Sequence, residues 1–204
     1  MKVKVKKYTT GLLLSILLMF TACDKEFLNV VDPNVLSTMA YPNTVEDMEL
    51  ILNDLYGRLR DGYYSALIRS IVLIGHDQDH GYNGAEFNQF ALNQLNPNLA
   101  RLNNWWTNIY GHIAKCNDFL VQLENVKNKA VMTESQQERC EQMEAECRFI
   151  RALNYFCLVN MFGEYPILTE ADKQKMGVPL WTELATTISG TNKARATQGE
   201  VYDL

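Results

Sequence analysis

Residues 133–163 read TESQQERCEQMEAECRFIRALNYFCLVNMFG, and this stretch decides the fold. Thr133 followed by Gln136 is a capping box, in which each side chain takes a backbone N–H of the other's residue at the open end of a helix. No Pro or Gly interrupts the next 29 residues, and Gly163 then supplies a stop. Ala145, Phe149, Ala152, Phe156 and Val159 recur at steps of three and four and form one apolar stripe. Met143, Cys147, Ile150 and Leu153 widen it, so the C-terminal half is apolar nearly all round and is expected to pack against two neighbours.

Upstream, Trp106, Ile109, Ile113, Cys116, Leu120 and Leu123 keep a strict three-four alternation, and a polar turn from Asn125 to Thr133 joins this helix to the long one. Further back, Thr44 and Asp47 make a capping-box-like start for a helix carrying Val45, Met48, Leu52, Leu55 and Leu59. After Gly62, Ala66, Leu67, Ile68, Ile71, Val72 and Ile74 predict a second, largely buried helix ending near Gly75. Between His76 and Asn104 the period stops and Gly, Asn and Asp accumulate, which predicts an irregular loop far longer than usual helix connections and therefore a place to look for a site. Downstream, Tyr165 to Thr169 reads as extended chain around Pro166, and Thr186 to Ala196 reads as polar loop. Thr197 with Glu200 announces a further capped helix, yet the sequence stops at Leu204, and we read the chain as truncated. Helix, short turn, helix, with small Ala145 and Ala152 on the packing face, gives an all-α class: a tetratricopeptide-like helical repeat, or α-solenoid, with irregular loops.

The first residues carry an address. Lys2, Lys4, Lys6 and Lys7 precede an apolar run from Gly11 to Phe20 and the small pair Thr21-Ala22, the pattern of a secretory signal over 1–22. The run is shorter than the roughly 20 apolar residues that cross a bilayer. Phe20-Thr21-Ala22-Cys23 resembles a bacterial lipobox, which implies acylation of Cys23 and a lipid anchor on the membrane, with residues 23–43 as a polar tether and 44–204 as the folded domain. Loss of the four lysines leaves the remainder four charge units more negative than the formal −5 of the whole sequence. Such a chain, with no basic patch beyond residue 7, repels phosphate, so nucleic acid is excluded as a partner.

Cys116, Cys140, Cys147 and Cys157 lack metal or redox spacing and read as buried thiols. The last three, on one helix, stand about 10 and 15 Å apart, beyond disulfide reach, so a disulfide is open only to Cys116. His76-Asp77-Gln78-Asp79-His80 has metal-binding residue types, but Gly75 and Gly81 argue for loop; no metal and no cofactor is expected. A glycoside hydrolase needs two carboxylates across a sugar, and Glu144, Glu146 and Glu164 do not supply that pair; no catalytic residue is assigned and the chain is not read as an enzyme.

Together, Trp106-x₃-Tyr110-x₂-Ile113-x₃-Asn117, the run Glu146 to Gly163 with Pro166 beyond it, and Ala194 to Leu204 resemble the N-terminal half of SusD/RagB-family outer-membrane lipoproteins. Cys147 stands where the family usually has Ala. The resemblance implies a surface-exposed lipoprotein of the cell outer membrane that captures glycan (oligosaccharide) nutrients for a SusC-like TonB-dependent transporter. A peptide-binding member, or a helical-repeat scaffold lipoprotein that assembles outer-membrane proteins, is the alternative.

The motif residues read as structural. Arg148 and Arg151 suit ion pairs or backbone capping, Trp106 and Tyr110 suit core or groove, and Asn117 suits a neighbouring backbone group. A glycan site needs an aromatic platform with a polar rim. Asp77, Asp79, Asn83, Asn103, Asn104 and Trp105 supply those types in and beside the long loop, and Trp105 lies about 100° around the helix from Trp106, off the stripe. From the family's habit of using the loop before this helix, the ligand-binding candidates are Asp77 and Trp105.

Overall fold

Asp47 shows how the first helix starts: its Oδ2 accepts the N–H groups of Asn43 and Thr44 at 3.0 and 3.1 Å, while Thr44 Oγ1 accepts the Asp47 N–H at 3.1 Å. The structure is a computed structural model and describes residues 42–60, 85–129, 131–164, 169–184 and 192–204. Among the described residues five α-helices run in order, α1 (Val45–Arg60), α2 (Ala85–Ala91), α3 (Ala100–Lys129), α4 (Glu134–Phe162) and α5 (Gln198–Tyr202), with a 3₁₀ turn at Glu170–Gln174 between the last two. Among the described residues there is no strand, only an isolated antiparallel bridge between Met176 and Thr197, and the fold is all-α. The expected capping boxes at Thr133 and Thr197 are both formed.

Helices α3 and α4 lie antiparallel, since their contacts run Cys116 with Cys147, Asn117 with Arg151, and Trp106 with Phe162. Their upper halves and α1 enclose one core: Met48, Leu52 and Leu55 of α1 meet Phe119, Leu123 and Val126 of α3 and Met143, Cys147 and Ile150 of α4. Each such aliphatic side chain contributes about 1.5–3 kcal/mol by leaving water. A second core joins Ile109 and Ile113 to Tyr155, Leu158 and Val159, with Val178 and Val201 closing it from beyond α4. Cys116, Cys140 and Cys147 are buried and Cys157 half-buried, all as free thiols.

The long helix buries Met143, Cys147 and Ile150, which widen its apolar stripe, and Val159 at the end of the stripe, while the rest of the stripe faces outward. Phe149 and Phe156 are 63% and 54% exposed, and Ala145 and Ala152 face solvent with them. The buried face is Cys140, Met143, Cys147, Ile150, Asn154 and Leu158. Hydrophobicity alone misplaces it because two polar residues, Arg151 and Asn154, sit on the buried side; Asn154 Nδ2 donates to Ile150 O at 2.7 Å, and Arg151 is satisfied as described below.

The long-loop expectation is also corrected in part. Ala85–Ala91 is helical, Asn93 turns the chain in the left-handed region at φ 52°, and α3 begins at Ala100. Phe90, Leu99 and Trp105 form a third small core that ties this segment down. The predicted helix at 66–74 lies outside the described residues, and the small pair Ala145 and Ala152, from which the repeat was read, is exposed rather than on a packing face.

After α4 the chain crosses back over the α3–α4 pair. Gly177 N–H donates to Ala196 O at 2.8 Å and Ala196 N–H to Val178 O at 3.2 Å, so residues 192–197 run beside 176–181. A Cβ on Gly177 would stand 3.0 Å from the carbonyl oxygens of Ala196 and Thr197, which is why this close approach takes glycine.

Candidate functional site

The segment Pro179–Glu183 is extended and makes a strap across α3 and α4, held almost entirely by its main chain. Tyr110 Oη donates to Pro179 O at 2.8 Å. Tyr155 Oη accepts the Trp181 N–H at 2.6 Å and donates to Trp181 O at 3.0 Å. Asn117 Nδ2 donates to Trp181 O at 2.8 Å and to Glu183 O at 3.2 Å, and its Oδ1 accepts from Arg151 Nη1 at 2.9 Å. The same guanidinium nitrogen donates to Thr182 O at 3.1 Å. Tyr110, Asn117, Arg151 and Tyr155 are thus strap holders; Asn117 and Arg151 meet backbone groups, as their sequence reading has it. Burial pushes the Tyr155 hydroxyl up to about 12 and raises that of Tyr110 as well, so both remain donors across the physiological range.

Against the strap lies an open cleft of about 720 Å³. Its walls among the described residues are Trp106, Tyr110, Ala114 and Asn117 from α3, Pro179, Trp181 and Glu183 from the strap, and Asn192, Lys193 and Ala194 from the returning segment. The Trp106 ring is braced by Tyr110 at 4.9 Å and edge-on by Phe162 at 5.1 Å, with the Arg195 guanidinium 5.5 Å from its centroid. Arg195 Nη1 donates to Phe162 O at 2.6 Å and Gly177 O at 2.9 Å, which fixes it there. Trp181 carries the Lys193 ammonium 5.3 Å from its ring centroid. A second hollow of about 510 Å³ opens on the other side of the strap, and Asn117 and Glu183 line both. Two indole rings with an amide, a carboxylate and an ammonium at the rim match the chemistry of a sugar, whose C–H faces stack on aromatic rings while its hydroxyls find polar partners.

The residues singled out from sequence fall elsewhere. Cys23 and Asp77 lie outside the described residues. Trp105 is only 2% exposed and packs against Phe90, ring centroids 5.4 Å apart, so it offers no platform. Its position off the α3 stripe places it in the third core rather than in solvent. Trp181, Glu183, Asn192 and Lys193 escaped notice because they sit in aperiodic chain; the available signal was an isolated Trp two residues after Pro179 in a segment with no helical period. Among the described residues, no group of three or more His, Cys, Asp or Glu is gathered for a metal, and no helix is long and apolar enough to cross a membrane.

A family model described as "Starch-binding associating with outer membrane" matches residues 26–204. The chain belongs to the SusD-like family. Two solved structures share the fold: a SusD superfamily protein from Bacteroides fragilis (21% identity, TM-score 0.61) and another from Bacteroides vulgatus (20% identity, TM-score 0.62). The matches cover 78% and 79% of this chain but 37% and 35% of theirs, so this SusD-like chain spans little more than a third of those relatives. No match is found among curated proteins.

Proposed function

We propose that this SusD-like chain is a surface-exposed outer-membrane lipoprotein that binds oligosaccharide in the cleft between Trp106 and Trp181 and passes it to a SusC-like TonB-dependent transporter, without catalysis. The observation that carries the reading is the cleft itself: about 720 Å³ with two indoles and a polar rim, its strap fixed by buried side chains before any ligand arrives. In this reading residues 1–22 direct export, Cys23 carries the lipid, 23–43 form the tether, and 44–204 present the cleft outward. Asp77 remains a proposed contact from the loop before α3.

Titration calorimetry of the full chain against a panel of neutral and acidic oligosaccharides tests it. Saturable binding is expected, about five- to a hundredfold weaker in Trp181→Ala, taking as the scale the roughly 1–3 kcal/mol by which a base stacks on an aromatic ring. Binding unchanged by that substitution removes the cleft as the site, and no binding by any saccharide removes the reading. The scaffold alternative draws on the exposed Phe149 and Phe156 of α4 and predicts capture of a partner protein with no saccharide affinity.

A further inference from the structure

The distribution of positive charge separates this cleft from the rest of the surface. Eight of the described Lys and Arg side chains lie within 4 Å of a carboxylate, from Arg58 with Asp54 at 2.9 Å to Lys175 with Asp172 at 2.6 Å. Arg60 and Lys129 stand in the last turns of α1 and α3, where a cation meets the negative end of the helix. The remaining three, Arg151, Lys193 and Arg195, surround the strap and cleft, and none has a carboxylate partner among the described residues. Arg151, 7% exposed, is bonded to the Asn117 amide oxygen and Thr182 O. Arg195 is bonded to two carbonyls and the Trp106 ring. Lys193 is held over Trp181 and lines the cleft. Neutral acceptors orient these charges without cancelling them, and Glu183 is the one carboxylate among the described residues of the lining. In a chain of formal charge −5, an anion finds few other places to settle.

We infer that the cleft selects a saccharide bearing an anionic group, a ring carboxylate or a sulfate ester, with Lys193 as the residue that meets the charge while Trp106 and Trp181 take the ring faces. The inference rests on the saccharide-binding reading above and narrows its ligand class. Lys193 is exposed, and a turn of its side chain from the indole toward a bound anion exchanges a cation–π contact for a charge-assisted hydrogen bond. Arg151 and Arg195 act through the field they set up in a partly desolvated cleft.

The test is calorimetry on the full chain with two matched pairs of probes: a galacturonic acid trimer against its methyl ester, and a sulfated galactose trimer against its desulfated form. At low ionic strength at least one anionic member is expected to bind about tenfold tighter than its neutral partner, and the pair that shows the gap identifies the group. Lys193→Gln should lower affinity for that anionic member about fivefold more than for its neutral partner and keep the fold, the side chain being on the surface. Neutral members binding as tightly as the anionic ones overturn the inference while leaving saccharide binding intact, as does a Lys193→Gln loss shared equally by both. Absence of binding by all four and by neutral malto-oligosaccharides overturns the saccharide reading itself.

Discussion

Asn117 is the side chain whose removal costs the strap most. Asn117→Ala deletes two bonds to carbonyls, at 2.8 Å to Trp181 O and 3.2 Å to Glu183 O, and the acceptor that meets Arg151 at 2.9 Å. At roughly 0.5–1.5 kcal/mol for each neutral bond and 1.5–3 for the charged one, the loss is about 2.5–6 kcal/mol. Burial raises the stakes, because Asn117 is 3% exposed and water cannot easily replace the amide. Arg151→Leu removes the guanidinium from the same group of bonds. Part of its cost is then shared with Asn117, so the double variant is expected to be about 1–2 kcal/mol less destabilised than the sum of the singles. Urea unfolding followed by tryptophan fluorescence and by far-UV circular dichroism measures all four corners of the cycle. A cost below about 1 kcal/mol for Asn117→Ala, or strict additivity with Arg151→Leu, would refute the claim that one connected network holds Pro179–Glu183 in place.

Three further outcomes follow from the packing and the charges. Trp105→Ala is expected to lower stability by about 3–5 kcal/mol through the cavity it opens beside Phe90 and Leu99, while Trp181→Ala changes ligand affinity with far less effect on unfolding; comparing urea midpoints and calorimetry for the two variants separates core from platform. On α4, Ile150→Ala should cost about 2–5 kcal/mol and its neighbour Phe149→Ser no more than about 0.5, and denaturant midpoints in the opposite order would place the buried face where the stripe of Phe and Ala put it. Burial holds the His112 imidazole below its usual 6.5, the Arg58 charge adding to the effect, so the unfolded chain binds a proton before the native one does. That contribution to stability is complete above pH 6.5 and declines as pH falls below it; Glu146, held below the usual 4.5 by its hydrogen bond from Arg139, adds a second decline at lower pH. A urea midpoint constant from pH 8 to pH 5 would contradict the assignment of a buried neutral His112.

The helices were legible because helix signals are local. Capping boxes at Thr44, Thr133 and Thr197 and the α3 stripe from Ile109 to Leu123 depend on residues within four or five turns of each other, and all appear in the structure. The buried face of α4 was only partly legible: Met143, Cys147 and Ile150 are apolar, but Arg151 is buried through acceptors on other segments, Asn117 Oδ1 and Thr182 O, the latter 31 residues away, and Asn154 through Ile150 O one turn back in its own helix. The short helix Ala85–Ala91 was missed for a related reason: its seven residues carry a single well-buried side chain, Phe90, too few to show a period. Of the cleft, the α3 wall was visible as aromatic and amide residues on a stripe edge, whereas Trp181 and Lys193 reach it through the bridge at Met176 and Thr197, a pairing with no sequence signature.

The strap is gripped at Pro179 O, Trp181 N, Trp181 O, Thr182 O and Glu183 O, all of them atoms common to every residue type. What the helices recognise there is therefore the peptide chain and not its letters. Positions 181 and 183 behave as an exchangeable reading head: their side chains can be rewritten, a ring for another ring or an acid for an amide, while the grip that positions them stays the same. On the proposed reading, selectivity can thus be redesigned at the strap with little tax on folding, and the residues to leave alone are Tyr110, Asn117, Arg151 and Tyr155, whose side chains grip it.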